Sequence, residues 1–270
     1  MTASRRPTRR RRVLIALALA ALAAPASTPG VRAADASTAR RPGRPAAGPP
    51  AIAQPSPARP LVVLKIGDSL GEELGFGLRD VLGASPDVRV LQEAVGDTGL
   101  ARPDYYNWPL HLDQELARFR PRAVVVLLGA NDAQNFVSDG RVVEFGSPAW
   151  QRIYGARVGT IMREATAAGA HVLWLGLPIM ASPAFSAKVA RINAIYAAEA
   201  GAHRGVNFLA TWSLFANAHG GYAAYLPDAS GHLVLMRNPD GIHFSEAGDD
   251  RLATALVGAM ERDWRIRLRP

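Results

Sequence analysis

A serine stands between an apolar strand pattern and an amphipathic helix pattern in the stretch LVVLKIGDSLGEELGFGLRDVL, residues 61–82. Ser69 is therefore expected at a strand-to-helix turn, where Gly67 allows a tight bend and the helix N-terminus favours developing negative charge. A serine in this position usually caps the helix. It can act as a hydrolytic nucleophile only where a base accepts its proton and where hydrogen-bond donors stabilise an oxyanion.

Residues with those roles occur in three later loops of the chain. His243, in RNPDGIHFSEAG, is the candidate base, and Asp240 is three residues earlier, close enough to orient the ring through its Nδ1 atom. Gly96 can present a backbone N–H, and Asn131 can offer a side-chain amide. The sequence therefore predicts a catalytic triad of Ser69, Asp240 and His243, with an oxyanion hole formed by Ser69, Gly96 and Asn131.

Other polar and aromatic residues near these positions have two interpretations. Asp68, Asp97 and Asp132 are expected to fix their loops through backbone amides. The aromatic side chains of the DYYNWP segment, Tyr105, Tyr106 and Trp108, are either packing residues or a substrate-binding surface, because they follow Gly96 along the chain. Residues 220–237 predict a β-hairpin with a DASG turn that would form a wall of the site.

The elements that must position these loops alternate between strand and helix. Apolar runs predict strands at 61–66, 88–95, 123–128, 171–177 and 206–210, and amphipathic patterns predict helices at 71–82, 110–119, 150–168, 185–200 and 246–264. Such alternation favours a parallel sheet covered by helices. In these sheets ligands bind beyond the carboxyl ends of the strands, which is where the candidate loops would meet.

Four ordered blocks resemble those of the SGNH, or GDSL, hydrolase family: Gly-Asp-Ser-Leu at 67–70, the glycine Gly96, Gly-x-Asn-Asp at 129–132 and Asp-x-x-His at 240–243. The resemblance implies a flavodoxin-like three-layer α/β/α sandwich with a parallel sheet of about five strands. The chain departs from the α/β-hydrolases, because it has no Gly-x-Ser-x-Gly elbow and its acid lies beside the histidine. The segments TGLARPDYYNWP, LLGANDAQ, VLWLGLP and DGIHFSEAG resemble an exported bacterial branch known only as a domain of unknown function.

The N-terminus has the layout of a secretory signal peptide. Residues 1–33 combine an arginine-rich start, a 12-residue apolar run at 13–24 and small-residue cleavage sites. A membrane anchor is the alternative, although a span needs roughly 20 apolar residues. Both secretory and twin-arginine export remain open. Residues 34–60 are rich in Pro, Ala and Arg and predict a disordered linker, and residues 61–270 predict a single hydrolase domain.

Charge and composition limit the partners of this predicted domain. Residues 1–60 hold 11 of the 31 Lys and Arg residues and 1 of the 23 Asp and Glu residues, so residues 61–270 carry 20 basic and 22 acidic side chains. A nucleic-acid partner is therefore not expected, because it would need a basic face on the domain. There is no cysteine and no His-Glu-x-x-His pair, so we expect neither a metal nor another cofactor.

Together these observations predict an exported, metal-free serine esterase, periplasmic or secreted. It would remove short acyl groups, with acetyl as the favoured group, from carbohydrate or cell-envelope glycan hydroxyls. Two alternatives stay open: acyl transfer to a sugar acceptor within the same chemistry, and a glycan-binding protein that keeps the fold without catalysis. The sequence does not indicate an oligomeric state.

Overall fold

Five parallel strands form the central sheet of the computed structural model, which describes residues 48–83 and 85–269. The elements follow in the order β1 (Leu61–Gly67), α1 (Ser69–Leu82), β2 (Val88–Ala94), α2 (Trp108–Phe119), β3 (Ala123–Leu127), β4 (Phe136–Ser138), β5 (Arg141–Val143), α3 (Pro148–Ala167), β6 (His171–Leu175), α4 (Pro183–Ala202), β7 (Val206–Leu209), a 3-10 turn (Trp212–Phe215), β8 (Tyr225–Pro227), β9 (Leu233–Leu235) and α5 (Glu246–Trp264).

The sheet order is β2-β1-β3-β6-β7, and every pairing within it is parallel. Every residue of β3, the central strand, is buried, as expected for a parallel strand covered on both faces. Helix α1 packs against α5, while α3 packs against both α2 and α4. The structure therefore has the predicted three-layer α/β/α architecture, and the five predicted strands and five predicted helices are confirmed with small shifts at their ends.

Two antiparallel hairpins extend from this framework. The β8–β9 hairpin lies within the predicted 220–237 region. The β4–β5 hairpin was not predicted, because its strands have three residues each and its paired Val137 and Val142 are both exposed. Strands this short give no periodic signal in the sequence.

The segment that precedes β1 departs from the predicted linker. Residues 48–60 lie against the domain, where Ile52 is buried and Gln54 exchanges hydrogen bonds with the backbone of Arg267 at 2.6 and 3.0 Å. Residues 34–47 of that linker and the predicted signal peptide lie outside the described residues, so their assignments stay predictions. No helix within the described ranges has the length and apolar character needed to cross a membrane.

The contact between α1 and α5 places a carboxyl group in an unfavourable environment. The two helices approach so closely that a Cβ atom on Gly77 would lie 2.3 Å from the carbonyl oxygen of Asp249. The Asp249 side chain is buried, and its Oδ1 atom has no hydrogen-bond partner among the described residues. Burial first, and then the charge of Glu73, raise the Asp249 pKa to about 7.

This buried carboxyl makes the stability of the fold depend on pH. Because the folded state binds the Asp249 proton more tightly than the unfolded chain does, the free energy of unfolding falls as the pH rises from about 4 to about 7. We expect Asp249→Asn to raise the free energy of unfolding by roughly 1 to 3 kcal/mol above pH 7 and by little below pH 4.

Urea unfolding of the wild type and Asp249→Asn, followed between pH 4 and pH 8, measures this difference. Glu144→Gln is the matched control, because Glu144 is exposed and its substitution should change little at any pH. A gain of equal size at both ends of the pH range would show that the effect does not come from ionisation.

Candidate active site

Ser69 is the first residue of α1, directly beyond the carboxyl end of β1. The helix is capped by its neighbour Asp68, whose Oδ1 atom accepts a hydrogen bond from the backbone N–H of Leu70 at 3.1 Å. Capping is therefore not the role of the serine, and its hydroxyl can pair elsewhere. The backbone N–H of Ser69 has no acceptor among the described residues, as expected for the first turn of a helix.

The structure brings the three residues of the predicted triad together. The Nε2 atom of His243 lies 2.9 Å from the Oγ atom of Ser69. On the other side of the ring, His243 Nδ1 lies 2.7 Å from Oδ2 of Asp240. Because Asp240 accepts a hydrogen bond from Nδ1, the neutral ring carries its proton there, and Nε2 is free to accept the serine proton. Nucleophilic catalysis by a serine requires this arrangement.

The loop that carries the histidine is organised around Asp240. Its second oxygen, Oδ1, accepts the backbone N–H groups of Ile242 at 2.8 Å and His243 at 3.0 Å. The N–H of Asn238 in turn donates to the His243 carbonyl at 2.9 Å. One carboxylate thus orients the imidazole ring and also fixes the backbone from which the ring projects.

Buried Arg237 holds the same loop through its carbonyl groups. Its guanidinium donates to the carbonyls of Ile179 at 2.6 Å, His243 at 3.3 Å and Ile242, and it lies 5.0 Å from the ring centre of Phe244. Burial lowers its pKa to about 10. Sequence reasoning missed this residue, because an arginine beside a hairpin gives no sign that it will be enclosed.

These contacts set the protonation of the triad. Burial disfavours the ionised form of Asp240, but the N–H groups of Ile242 and His243 and the imidazole outweigh it and lower the pKa to about 2. Burial also disfavours protonated His243, but the hydrogen bond that its Nδ1 donates to Asp240 and the charge of Glu73 outweigh it and raise the pKa of the imidazole. The same contacts therefore keep Asp240 ionised and stabilise His243 when it accepts a proton.

Asp68 connects the turn that carries Ser69 to the loop after the neighbouring strand β3. Besides capping α1, the buried carboxylate accepts the N–H groups of Gly129 at 2.9 Å and Ala130 at 3.0 Å. Burial raises its pKa to about 6 in spite of these donors. The interpretation of Asp68 as a loop-fixing residue is confirmed.

Asp132 also joins two segments through a buried carboxylate, in this case the loop after β3 and the loop after β2. The buried carboxylate accepts the N–H groups of Leu100 at 2.9 Å and Ala101 at 2.8 Å, and the hydroxyl of Tyr154 at 2.7 Å. The loop after β3 is thereby fixed to the loop after β2, which confirms the interpretation of this residue as well.

Asn131 lies between these two fixed points. Its Nδ2 atom donates one hydrogen to the Thr98 carbonyl at 2.9 Å, and its second amide hydrogen has no acceptor among the described residues. The half-buried side chain also lines a surface cavity. This geometry leaves one donor of Asn131 available to an oxyanion.

The predicted role of Gly96 needs a correction for this conformation. Its backbone N–H donates to Oε1 of Glu72 at 3.1 Å, so it is not available to a substrate. Glu72 is an exposed residue of α1, three positions after Ser69. The spacing could have suggested that it points toward the site, but sequence reasoning did not consider it.

The three candidate substrate-binding aromatics occupy different environments. Trp108 has 0% exposure, and its Nε1 atom donates to the hydroxyl of Thr98 at 3.1 Å. The Tyr106 ring packs on it with ring centres 4.8 Å apart. Since a fully enclosed ring has no face for a ligand, the prediction that Trp108 stacks on substrate is wrong, and the half-buried Tyr106 belongs to the same packed cluster.

Tyr105 is different, because 62% of its surface is exposed and it lines the cavity beside Asn131. The cavity has a volume of about 190 Å³, and the polar residues Asp97, Arg102 and Gln134 also contribute to its walls. It is an open depression suited to a hydrated group, and Tyr105 supplies its aromatic surface.

The β8–β9 hairpin is joined to the base of the final helix. The hydroxyl of Ser245 donates to the Leu235 carbonyl, and the same hydroxyl accepts from the N–H of Gly248 at 3.3 Å. Ser245 therefore caps α5 and fixes the end of the histidine loop. No metal-binding cluster of three or more His, Asp or Glu side chains is found within the described residues; the expectation of a metal-free site stays a prediction.

A family model described as "Protein of unknown function (DUF459)" matches residues 62–259. The chain is similar to the structure of a GDSL-like lipase from Bacteroides thetaiotaomicron, with 16% identity, a TM-score of 0.55 and coverage of 78% of this chain and 93% of that one. It is also similar to a catalytic mutant of Axe2, an acetylxylan esterase from Geobacillus stearothermophilus, with 15% identity, a TM-score of 0.53 and coverage of 77% and 97%. No curated protein matches the chain in sequence.

The contacts of the triad predict the titration of its histidine. We expect the pKa of His243 to lie above its unperturbed value of about 6.5, and Asp240→Asn to lower it, because the substitution removes both the charge and the acceptor at Nδ1. Proton NMR titration measures it, with the signal assigned by its loss in His243→Gln. Asp139→Asn, in the β4–β5 turn, is the control. An equal His243 pKa in the wild type and Asp240→Asn would contradict the pairing.

Proposed function

The chain belongs to the DUF459 family and has the fold of the SGNH hydrolases, and we propose that it is an exported, metal-free serine esterase. The observation that carries the proposal is the continuous hydrogen-bonded chain from Ser69 through His243 to Asp240, with distances of 2.9 and 2.7 Å. Such a chain is what a hydrolytic serine needs, since the hydroxyl is a weak nucleophile without a base.

In the proposed reaction, Oγ of Ser69 attacks the ester carbonyl carbon while Nε2 of His243 takes the hydroxyl proton. Asp240 keeps the imidazole in the required tautomer and stabilises its protonated form. His243 then gives the proton to the departing alcohol as the carbon–oxygen bond breaks, which leaves an acyl group on Ser69. Water, activated by the same imidazole, releases the acid and restores the serine.

The negative charge that develops on the carbonyl oxygen requires donors. The N–H of Ser69 and the second amide hydrogen of Asn131 are available for this role in the described structure. Gly96 adds a third donor once the carboxylate of Glu72 leaves its N–H. The donors of Ser69 and Asn131 need no such rearrangement, and donors that are already in place stabilise an oxyanion effectively.

A short acyl group on a carbohydrate is the substrate class that we favour. The cavity next to Asn131 is small and open and is lined by several polar residues, and Tyr105 offers an aromatic face for the apolar side of a sugar ring. One of the similar structures is an acetylxylan esterase. The signal-peptide pattern of residues 1–33 supports a periplasmic or secreted location, where envelope glycans are accessible.

Two alternative functions remain within the proposal. Acyl transfer to a sugar hydroxyl would use the same acyl-enzyme with another acceptor in place of water. A glycan-binding protein without catalysis is opposed by the completed triad, because binding alone needs neither a nucleophile nor its base.

The decisive experiment is reaction of the purified protein with p-nitrophenyl acetate and with a serine-reactive fluorophosphonate. Ester hydrolysis together with a covalent adduct mapped to Ser69 is the expected result. A folded protein that neither hydrolyses the ester nor forms the adduct would support the binding protein. Adding sugar acceptors to the ester reaction then separates hydrolysis from transfer by the products formed.

The triad should fail as a unit. We expect Ser69→Ala and His243→Ala each to lower kcat by roughly 10⁴- to 10⁶-fold, and the double variant to be little worse, because either loss removes the same step. Asn131→Ala should lower kcat by about 10²- to 10³-fold, the range for one oxyanion donor. Steady-state kinetics on an aryl acetate measure these losses, and independent, multiplicative losses for Ser69 and His243 would contradict the shared role.

Acyl-chain preference tests the proposed substrate. With p-nitrophenyl esters we expect kcat/KM to be highest for acetate and to fall with chain length, because the cavity beside Asn131 has a volume of only about 190 Å³. Acetylated sugars should show a higher KM in Tyr105→Ala but not in Phe76→Ala, a control at an exposed aromatic residue of α1. A preference for chains of about eight carbons or more would argue for a lipid substrate, since each buried CH₂ contributes about 0.8 kcal/mol.

A further inference from the structure

Helix α1 carries a second carboxylate that reaches the histidine loop. Glu73 is four residues after Ser69, so the two side chains share one face of the helix. Its Oε2 atom accepts the backbone N–H of Phe244 at 2.9 Å, and Phe244 directly follows His243. The same helix therefore holds the nucleophile and binds the backbone of the base.

We propose that Glu73 is a positioning residue for His243, which fixes the base relative to the nucleophile and supplies a negative charge that stabilises its protonated form. The inference rests on the proposed esterase function for its kinetic consequence, but its structural consequence can be measured without any activity. The residue has no role in the triad itself, and no motif of the sequence indicated it.

The position of this bond explains why it should matter. Asp240 holds the histidine from within its own loop, and Arg237 binds carbonyl groups of that loop. Neither residue belongs to α1, so neither ties the loop to the helix that carries Ser69. Besides the His243–Ser69 hydrogen bond itself, the Glu73–Phe244 bond joins the loop to this helix, and it lies one helical turn from the serine. Misplacement of a catalytic group by about 1 Å can cost roughly 10²-fold in rate.

Several charged groups surround Glu73 and His243, and they act in opposite directions on the pKa values of these two residues. Asp240, Glu73 and Asp68 all favour protonated His243, while burial opposes it. Burial raises the Glu73 pKa, and Asp240 adds to this, whereas the N–H of Phe244, His243 and Arg237 favour its carboxylate. From α5, Asp249 also faces Glu73. The charge of Glu73 thus belongs to the electrostatic environment of the base.

Two substitutions separate position from charge. Glu73→Gln keeps an oxygen that can accept the Phe244 N–H but removes the charge, so the His243 pKa should fall. Its kcat at alkaline pH, where His243 is neutral in either protein, should stay within about threefold of the wild type. Glu73→Ala removes both the acceptor and the charge, and should lower kcat by about 10- to 100-fold with little change in KM.

The experiment combines proton NMR titration of His243 with pH profiles of kcat on p-nitrophenyl acetate, for the full protein and these two variants. Glu246→Gln is the matched control, because it removes a carboxylate at the start of α5, next to the same loop, and should leave the His243 pKa unchanged. A merely structural role for Glu73 would not move the titration in Glu73→Gln while the kcat at alkaline pH is kept.

The possible outcomes are distinguishable. An unchanged His243 pKa in Glu73→Gln overturns the proposal, whatever the rates are, and a Glu73→Ala variant as fast as Glu73→Gln overturns the positioning role. If Glu73→Ala does not fold, the Gln variant alone decides. If the wild type hydrolyses no ester, the proposed function fails, while the NMR titration still tests whether Glu73 acts on His243.

Discussion

The burial of Asp68 is the constraint on which the site depends. Its carboxylate lies where β1 meets α1, and a buried charge is tolerated only when its oxygens are fully hydrogen-bonded. Three backbone donors meet this requirement, from Leu70 on one side and from Gly129 and Ala130 on the other. Because Asp68 caps the helix, the hydroxyl of Ser69 can pair with the histidine. The hydrogen bonding of Ser69 thus depends on the residue before it.

Much of the fold could be predicted from the sequence because parallel strands covered on both faces are continuous apolar runs, and Ala123–Leu127 is such a run. The remainder has no local signal. The β4–β5 hairpin has three-residue strands with exposed valines. Residues 48–60 are Pro-rich with no periodicity, although Ile52 is buried against the domain. Their positions are decided by tertiary contacts, which a local pattern does not contain.

In the candidate site, too, contacts between residues close in sequence could be predicted, whereas contacts with distant elements could not. Asp240 and His243 could be paired from the sequence because a separation of three residues lets the two side chains meet within one turn of chain. The N–H of Gly96 could not be assigned correctly, because its acceptor comes from Glu72 on a helix 24 positions earlier. Trp108 was misjudged for a related reason: proximity to the site along the chain does not show which way a ring faces.

The histidine loop is held mainly by charged side chains that bind backbone groups, and this links its position to its chemistry. Arg237 donates hydrogen bonds to carbonyl groups of the loop, while Asp240 and Glu73 accept hydrogen bonds from its N–H groups. An apolar loop of the same shape could hold the ring equally still, but it would leave protonated imidazole without compensation in a partly buried site. In this arrangement each carboxylate that fixes the backbone also stabilises the cation that forms when His243 accepts a proton. Position and basicity therefore come from the same contacts.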